Sequence, residues 1–169
     1  GLFVEKYTSA ERLDKTDLKI LRELQENSRI SISELARRIS LSQPATHTRL
    51  KRLETFSIIR KHVSLLDREK LGLDLVCFMQ IRLQAHSEKA LLAFEKAVQS
   101  LPSVLECHYL TGEFDYLLKT IFRNRHELEH FDRQILSPLP NVVQVITSVV
   151  LSEVKSTTVL PLPSDTASK

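Results

Sequence analysis

The sequence predicts an α+β protein made of two unlike domains, and three observations carry this prediction. Apolar residues recur at helical spacing as far as residue 55. Beyond residue 72, strand-like and helix-like segments alternate along the chain. The charge divides at the same place, because residues 1–70 carry 15 basic and 10 acidic side chains and residues 71–169 carry 9 and 11. Two halves of opposite sign, +5 and −2, indicate two separate tasks.

The overall composition excludes several classes of protein. With 169 residues, 42% of them hydrophobic, the chain can form one or two packed cores and is too apolar for a disordered protein. Its two cysteines, Cys77 and Cys107, are too few for a disulfide scaffold and favour a reduced, cytosolic setting. The three glycines are too few for a glycine-rich phosphate loop, so we expect neither a nucleotide enzyme nor a bound cofactor.

No segment has the pattern of a membrane span or a secretion signal. The longest uncharged stretch, residues 134–152, is interrupted by Pro138, Pro140 and Asn141. The N-terminus, which begins at Gly1, lacks a basic region followed by an apolar one. We therefore expect a cytoplasmic protein with no membrane partner.

Three helices are predicted for the first domain, behind a flexible arm at residues 1–12. The first helix covers residues 13–25, where polar residues near its start precede an apolar face that includes Ile20. The second helix has Ser33 as its predicted N-cap and turns Leu35 inward.

The third helix begins at Ser42 and has Pro44 in its first turn, where amides lack intrahelical partners and proline is tolerated. Only two residues separate it from the second helix, which predicts a helix-turn-helix. The short, basic and partly alternating segment at residues 60–66 is typical of a wing or linker strand. We therefore predict a winged helix-turn-helix domain over residues 13–72.

The second domain is predicted to follow the order strand-helix-strand-strand-helix-strand, the split βαβ or ferredoxin-like arrangement. Alternation around Met79 predicts the first strand, and Ser87 is the predicted cap of the helix that follows. The last strand, residues 142–154, has apolar residues at both its odd and its even positions, so we expect both of its faces to be covered. The domain would span residues 73–156 and be followed by a C-terminal tail at residues 157–169.

The third helix carries polar and basic residues that suit a nucleic-acid partner. They lie off the apolar stripe of Leu50 and Leu53, where they could contact base edges in the major groove and flanking phosphates. Residues 37–70 carry 9 basic and 3 acidic side chains, a net of +6. The alternative is a solvated basic helix in an ordinary bundle. The candidate DNA-binding residues are Ser42, Gln43, Pro44, His47, Thr48, Arg49, Lys51, Arg52, Arg60 and Lys61.

Residues 126–130 match the pattern in which two histidines one helical turn apart bind zinc and a glutamate acts as general base. We expect His126 and His130 to point away from the apolar stripe of their helix and into solvent. No histidine follows His130, and Asn124 and Glu127 have the spacing of a capping box. The pattern therefore favours a structural role over a zinc hydrolase, and we expect no metal.

A short acidic turn at residues 111–115 is the second candidate site. Gly112 lies where two strands must reverse, and a hairpin that needs a positive φ explains this glycine without any ligand. In the functional interpretation, amides near Gly112 hold a carboxylate while Glu113 or Asp115 holds an ammonium group. Such a site would bind a zwitterion.

Short motifs follow one another along the chain in an order that is more specific than any one of them. They are Leu13-Asp14-Lys15-Thr16-Asp17 with Ile20-Leu21, Glu34-Leu35-Ala36, Ser42, Arg49-Leu50-Lys51-Arg52-Leu53-Glu54, Ile58-Ile59, Thr111-Gly112-Glu113-Phe114-Asp115-Tyr116-Leu117-Leu118 and Val149-Val150. Together they resemble the leucine-responsive regulatory protein family, also called Lrp/AsnC or feast/famine regulators. The resemblance extends from about Leu13 to Lys155.

The resemblance implies a bacterial or archaeal transcription regulator in which a winged helix-turn-helix precedes a ferredoxin-like, amino-acid-sensing domain. Members of the family form dimers through the second domain, and the dimers commonly assemble into octameric rings. Effectors bind at subunit interfaces near the turn that matches residues 111–115, and they alter assembly or DNA affinity. The implied effector-binding residues are Thr111, Gly112, Glu113, Phe114, Asp115 and Ser148.

Three serines depart from the family's pattern. Ser40 and Ser57 stand at turns where the family usually has glycine, and each removes the freedom of a positive φ. Ser148 stands at a position that is aromatic in the leucine-responsive member, which argues against leucine as the effector.

We therefore expect a sequence-specific DNA-binding regulator, not an enzyme, whose partners are double-stranded DNA, a small amino acid and further copies of itself. The expected assembly is a homodimer that forms octamers. The alternative is a small metabolic enzyme or ligand-carrier domain with an accessory helical bundle.

Overall fold

The computed structural model describes residues 13–163, which fall into two compact units. Among the described residues, the first unit contains residues 13–65 and 155–163, and the second contains residues 66–154. The predicted flexible arm at residues 1–12 lies outside the described residues. The predicted domain limits at residues 72 and 156 stay predictions.

Three helices form the first unit: α1 (Lys15–Glu26), α2 (Ile32–Ile39) and α3 (Gln43–Thr55). They enclose a small apolar core, because each helix turns one apolar stripe inward. The buried members of this core are Ile20, Leu35, Ile39 and Leu53.

The N-cap of α2 is Ser31, and the prediction of Ser33 is wrong. The Ser31 hydroxyl accepts a hydrogen bond from the amide of Glu34 at 3.1 Å. The helix begins one residue after this cap, at Ile32, which is already half-buried. Ser33 therefore lies inside the first turn, where it is exposed.

The turn between α2 and α3 confirms the predicted helix-turn-helix. Ser40 ends α2 in the left-handed conformation, with φ 58° and ψ 46°. The amide of Leu41 then donates to the carbonyl of Ala36 at 3.0 Å. Ser57 has a similar φ of 57° after α3. Both serines thus adopt the backbone region for which glycine is better suited.

Residues 60–66 do not form the predicted wing or linker strand. Within the described chain, this segment has no ladder hydrogen bonds to a partner strand. All of its side chains are exposed, so no buried face holds it against another strand.

The C-terminal segment, residues 155–163, packs with the first unit along α1. The side-chain amide of Gln25 donates to the carbonyl of Leu160 at 3.1 Å and accepts from its amide at 2.6 Å. Arg22 also donates to the carbonyl of Pro163. The segment that follows the second unit therefore returns to the first one.

The second unit is a four-stranded antiparallel sheet with helices on one face. Its strand order is β2-β3-β1-β4, which confirms the ferredoxin-like arrangement. The elements are β1 (Leu75–Leu83), α4 (Glu88–Gln99), β2 (Val104–Tyr109), β3 (Tyr116–Phe122), α5 (Arg125–His130) and β4 (Val142–Val149).

Alternation along the strands places the core on the helix side of the sheet. Cys77 and Met79 of β1 are fully buried there, whereas Phe78 and Gln80 point to the opposite face. A π-helical turn at Phe131–Leu136 continues α5. Because its hydrogen bonds span five residues, both of its end residues are buried against the sheet.

The last strand ends at Val149, short of the predicted residue 154, and it is not covered on both faces. It lies at an edge of the sheet, and only Val142 and Val145 pack against the core. Ile146 and Val149, which have opposite parities, are both exposed. No helix in the described part of the chain is long and apolar enough to cross a membrane.

Candidate functional site

The exposed face of α3 contains five of the ten candidate DNA-binding residues. Thr46 and Leu53 are buried and fix the inner face of this helix. The side opposite them presents polar and basic side chains because residues three and four apart share a face. The exposed residues on this surface are Gln43, Pro44, His47, Thr48 and Lys51.

The start of α3 is well defined by local hydrogen bonds. The Ser42 hydroxyl accepts from the amide of Ala45 at 3.3 Å, as a cap does. The Thr48 hydroxyl donates to the carbonyl of Pro44 at 3.0 Å. An open surface hollow of about 630 Å³ is lined by Ile32, Gln43, Pro44 and His47.

Two of the candidate residues, Arg49 and Arg52, point towards α1. A nitrogen of Arg49 lies 2.6 Å from a carboxylate oxygen of Asp14 and 3.1 Å from one of Asp17. Arg52 forms an ion pair with the other oxygen of Asp17, whose side chain is fully buried. Their predicted contact with DNA stays a prediction, but their position in the free protein is an internal one.

Ion pairs also involve other cations of the basic segment. Arg37 and Arg38 both bind Glu34, at 2.5 and 2.9 Å. Among the candidates, Lys51, Arg60 and Lys61 are exposed, and no carboxylate of the described residues lies within 4.0 Å of them. The net charge of +6 is thus reduced to a few cations that are available to a phosphate.

The zinc-like motif has the geometry of an ordinary helix start. The side chain of Asn124 accepts from the amides of His126 and Glu127, as predicted for a cap. Glu127 accepts from the amide of Arg123 at 2.8 Å. His126 and His130 are exposed, and the described residues contain no group of three potential metal ligands.

The turn at residues 111–115 joins β2 to β3, and its carboxylates are already engaged. Gly112 has a φ of 111°, which confirms that the turn needs a positive φ. Glu113 forms an ion pair with Arg82 at 2.6 Å. Asp115 accepts from the amide of Leu83 at 2.7 Å. The carboxylates of Glu113 and Asp115 therefore both have partners within the single chain.

Sequence reasoning missed two side chains that belong to this turn. Arg82 on β1 lies with its guanidinium 5.2 Å from the centre of the Phe114 ring. His86 lies 3.0 Å from the second oxygen of Asp115. Both are about 30 residues away along the chain, at separations of 31 and 29. Only the pairing of β1 with β3 brings them to the turn, and no local pattern could have indicated it.

The structure does not bring Ser148 to the turn within one chain. Ser148 pairs with Phe78, whereas Val145 and Tyr116 both pair with Ile81. Three residues of extended strand correspond to about 10 Å. The predicted participation of Ser148 in an effector site stays a prediction.

A separate groove of about 430 Å³ lies between α4 and β2, and residues 111–115 do not line it. Inside it the hydroxyl of Tyr116 donates to Glu95 at 2.7 Å. Burial, followed by the nearby Glu95, raises the pKa of the Tyr116 hydroxyl well above its usual value. The same two causes raise the pKa of the Cys107 thiol to about 11. The thiol is therefore protonated at neutral pH.

Comparison with known protein families assigns both units. A model of the AsnC-type helix-turn-helix domain matches residues 13–54. A model of the Lrp/AsnC ligand binding domain matches residues 76–160. The chain belongs to the Lrp/AsnC family. The resemblance noted in the sequence is thereby confirmed.

Curated relatives of this Lrp/AsnC protein extend over nearly the whole chain. The proline dehydrogenase transcriptional activator of Rhizobium radiobacter is 39% identical over 145 residues, which are 86% of this chain and 93% of the relative. The transcriptional activator DecR of Escherichia coli K12 is 35% identical over 150 residues, with 89% and 99% covered. The leucine-responsive regulatory protein of Haemophilus influenzae is 38% identical, with 89% and 90% covered.

Solved structures show the same architecture. A transcriptional regulator of Neisseria meningitidis in complex with L-Met has a TM-score of 0.84 and 40% identity, over 88% of this chain and 96% of that one. The AsnC structure from Escherichia coli has a TM-score of 0.82 and 27% identity, with 88% and 99% covered. This Lrp/AsnC protein is accordingly a DNA-binding transcriptional regulator.

Proposed function

We propose that this Lrp/AsnC protein binds operator DNA through α3 and that a small amino acid controls its assembly or its DNA affinity. The observation that carries the DNA-binding part is the set of unpaired cations described above. Lys51 projects from the exposed face of α3, and Arg60 and Lys61 follow that helix. Together they provide phosphate contacts on both sides of a helix that enters the major groove.

The remaining exposed side chains of α3 supply the reading of bases. Gln43 donates and accepts through its amide, and His47 and Thr48 offer further polar groups to base edges. Ser42 caps the start of α3, where main-chain amides can hold a phosphate, and Pro44 lies in the same turn. Two such helices in a dimer would bind two half-sites of a pseudo-palindrome.

Fluorescence anisotropy with a duplex selected by the protein from a random pool, over a series of KCl concentrations, tests this proposal. Three phosphate contacts in each protomer predict that the logarithm of the affinity falls with the logarithm of salt with a slope of about −5 for a dimer. Lys51→Gln should reduce the slope by about 0.9 for each protomer. Failure to bind any duplex at low salt would contradict the proposal.

The effector is proposed to bind near residues 111–115, at an interface between copies of the chain. A regulator that is 40% identical to this one has been solved with L-Met, which supports an amino acid as the class of ligand. Arg82 is a candidate for the carboxylate of that amino acid, because its Nε is buried and lacks a partner among the described residues. Thr111, Gly112 and Phe114 would line the site, and Ser148 would join it from another strand or another copy.

A thermal-shift screen of the twenty amino acids identifies the effector. A true effector should raise the melting temperature of the wild-type protein in a concentration-dependent way. Replacing Gly112 by leucine should abolish that response, because the side chain would occupy the turn. A response that survives in this variant would contradict the placement of the site.

The proposal also includes the oligomeric state of the protein and its location in the cell. We expect a homodimer that forms octamers in the cytoplasm, as the family resemblance implies. The exposed apolar residues of β4 support self-association, since an uncovered edge strand is a surface on which another copy can pack. The enzyme or ligand-carrier alternative receives no support from a specific group in the structure.

A further inference from the structure

Asp17 is the fully buried carboxylate at the contact between α1 and α3. One of its oxygens accepts from Arg49 at 3.1 Å, and the other accepts from Arg52 and from the amide of Asp14 at 3.2 Å. Asp14 completes the cluster, because it accepts from the amide of Asp17 at 2.8 Å and from Arg49 at 2.6 Å. The helix start of α1 and the middle of α3 are therefore joined by one hydrogen-bonded network.

This network is formally neutral, because it contains two guanidinium groups and two carboxylates. Burial acts to raise the pKa of Asp14, but the Asp17 amide and the Arg49 guanidinium outweigh it and hold that pKa below its usual value. The Asp14 carboxylate is thus charged at neutral pH and offsets the charge of Arg49. A neutral cluster releases few counterions on binding DNA, whereas the unpaired Lys51 releases its share.

The two arginines occupy one flank of α3, and the DNA-facing side chains occupy another. Residues 49 and 52 are three apart and point towards α1, with 31% and 44% of their side chains exposed. His47 and Lys51, which are four apart, lie on the side away from α1. If released from Asp17, the long arginine side chains could swing to solvent and to nearby phosphates.

We propose that Asp17 is a specificity-determining positioning residue, which holds Arg49 and Arg52 against α1 and so keeps them from binding DNA phosphates without regard to sequence. Through the same contacts it sets the rotation of α3 that presents Gln43 and His47 to base edges. The proposal assigns internal roles to the two arginines and rests on the proposed binding of DNA through α3.

Asp17→Asn tests the proposal with little change in shape. The affinity for a scrambled duplex should rise at least threefold, and the salt slope should become steeper by about 0.9 for each protomer, because the cluster loses one negative charge while Asp14 still pairs with Arg49. The affinity for a selected duplex should fall, so that the ratio of the two affinities drops about tenfold or more. Anisotropy with both duplexes over a KCl series measures all three quantities.

Variants of Arg52 give a second test that does not depend on the folding of Asp17→Asn. Arg52→Gln should lower the affinity for the selected duplex and leave the salt slope unchanged, because Arg52 makes no phosphate contact. Arg52→Lys should restore most of that affinity, since lysine keeps one ion pair with Asp17. The matched control is Lys51→Gln, which should reduce the slope by about 0.9 for each protomer and weaken both duplexes alike.

The outcomes separate this inference from the function on which it rests. A wild-type protein that binds no DNA overturns both. A wild-type protein that binds DNA, with Asp17→Asn leaving the slope and the ratio unchanged, overturns only the role of Asp17. A slope that Arg52→Gln reduces as much as Lys51→Gln does shows that Arg52 contacts phosphate, and it also overturns the inference.

Discussion

Glu34 is the residue whose environment most clearly predicts a dependence on pH. Hydrogen bonds from Arg37 and then Arg38 lower the pKa of its carboxyl group from 4.5 to about 2. Because the folded-state pKa lies below the unfolded one, the contribution of Glu34 to stability is fully present above pH 4.5. It is lost as the pH falls from there towards 2.

Urea unfolding of the wild-type protein and of Glu34→Gln measures this effect. The variant should be less stable at pH 7, and the difference should shrink at pH 3 because the wild-type carboxyl gains protons on unfolding. High salt should also shrink it, since the side chains are exposed. An equal difference at both pH values would contradict the pairing.

Replacing Gly112 by another residue should lower the stability of the protein through backbone strain alone. A Cβ at this position would meet nothing within 4 Å, but its φ of 111° is a region that other residues rarely adopt. Gly112→Ala should therefore lower the free energy of unfolding by about 1–3 kcal/mol. Chemical denaturation measures it, and Thr111→Ala, on an exposed neighbour, should change stability little. Equal changes in the free energy of unfolding for Gly112→Ala and Thr111→Ala would show that a side chain at position 112 does not strain the turn.

At the scale of the secondary-structure elements, the turn between α2 and α3 can be improved. Ser40 has a φ of 58°, a conformation that costs a non-glycine residue about 1–2 kcal/mol. Glycine loses about 0.5–1 kcal/mol more on folding, so Ser40→Gly should stabilise the protein by about 0.5–1 kcal/mol. Differential scanning calorimetry should show a higher melting temperature.

Ser33→Gly is the matched control, since Ser33 is exposed and helical within α2. The same substitution there should destabilise the protein by about 0.5 kcal/mol, because glycine is a poor helix former. A loss of stability at Ser40 as well would mean that its left-handed backbone is not under strain.

Most helix caps depend on local contacts and could be predicted from the sequence, with Ser31 of α2 as an exception, whereas several side-chain contacts between distant segments could not. Asp14, Ser42 and Asn124 cap their helices within three residues, so their roles are visible in the sequence. The C-terminal segment 155–163 pairs with a glutamine 135 residues earlier, and no local pattern indicates that contact. The π-helical turn after α5 likewise depends on the core beneath it.

The same distinction applies to the candidate sites. Helical spacing is sufficient to predict that His47 and Lys51 lie on the exposed face of α3. It cannot predict the partners of Arg49 and Arg52, because Asp17 is 32 and 35 residues away. The sequence therefore predicts which residues are basic, whereas the fold decides which of them can meet a phosphate.

At the scale of the whole molecule, the net charge of the first domain overstates the number of basic side chains that are free to bind DNA. The first 70 residues carry a net charge of +5, but buried and surface ion pairs hold several of those cations. Within residues 37–70, the candidate cations that have no carboxylate of the described residues within 4.0 Å are Lys51, Arg60 and Lys61, which lie on or just after α3. A protein of this kind would bind DNA with a moderate salt dependence and would rely on the shape of α3 for selectivity.

The open edge of the second unit predicts self-association. Ile146 is 40% exposed on β4 and lies on the same sheet face as Phe78, which is 38% exposed. A second copy packed on this face would cover both, and a charge placed there would be buried without a partner. Ile146→Asp should therefore shift the protein to a smaller assembly, measured as molar mass by light scattering.

Lys89→Asp provides the control, because it places the same negative side chain on the exposed surface of α4. It should leave the molar mass unchanged, and both variants should keep the helical and strand content seen by circular dichroism. Because the proposed dimer places two copies of α3 on a pseudo-palindromic operator, Ile146→Asp should also weaken DNA binding. An unaltered mass for Ile146→Asp would show that this face of the sheet does not hold copies of the chain together.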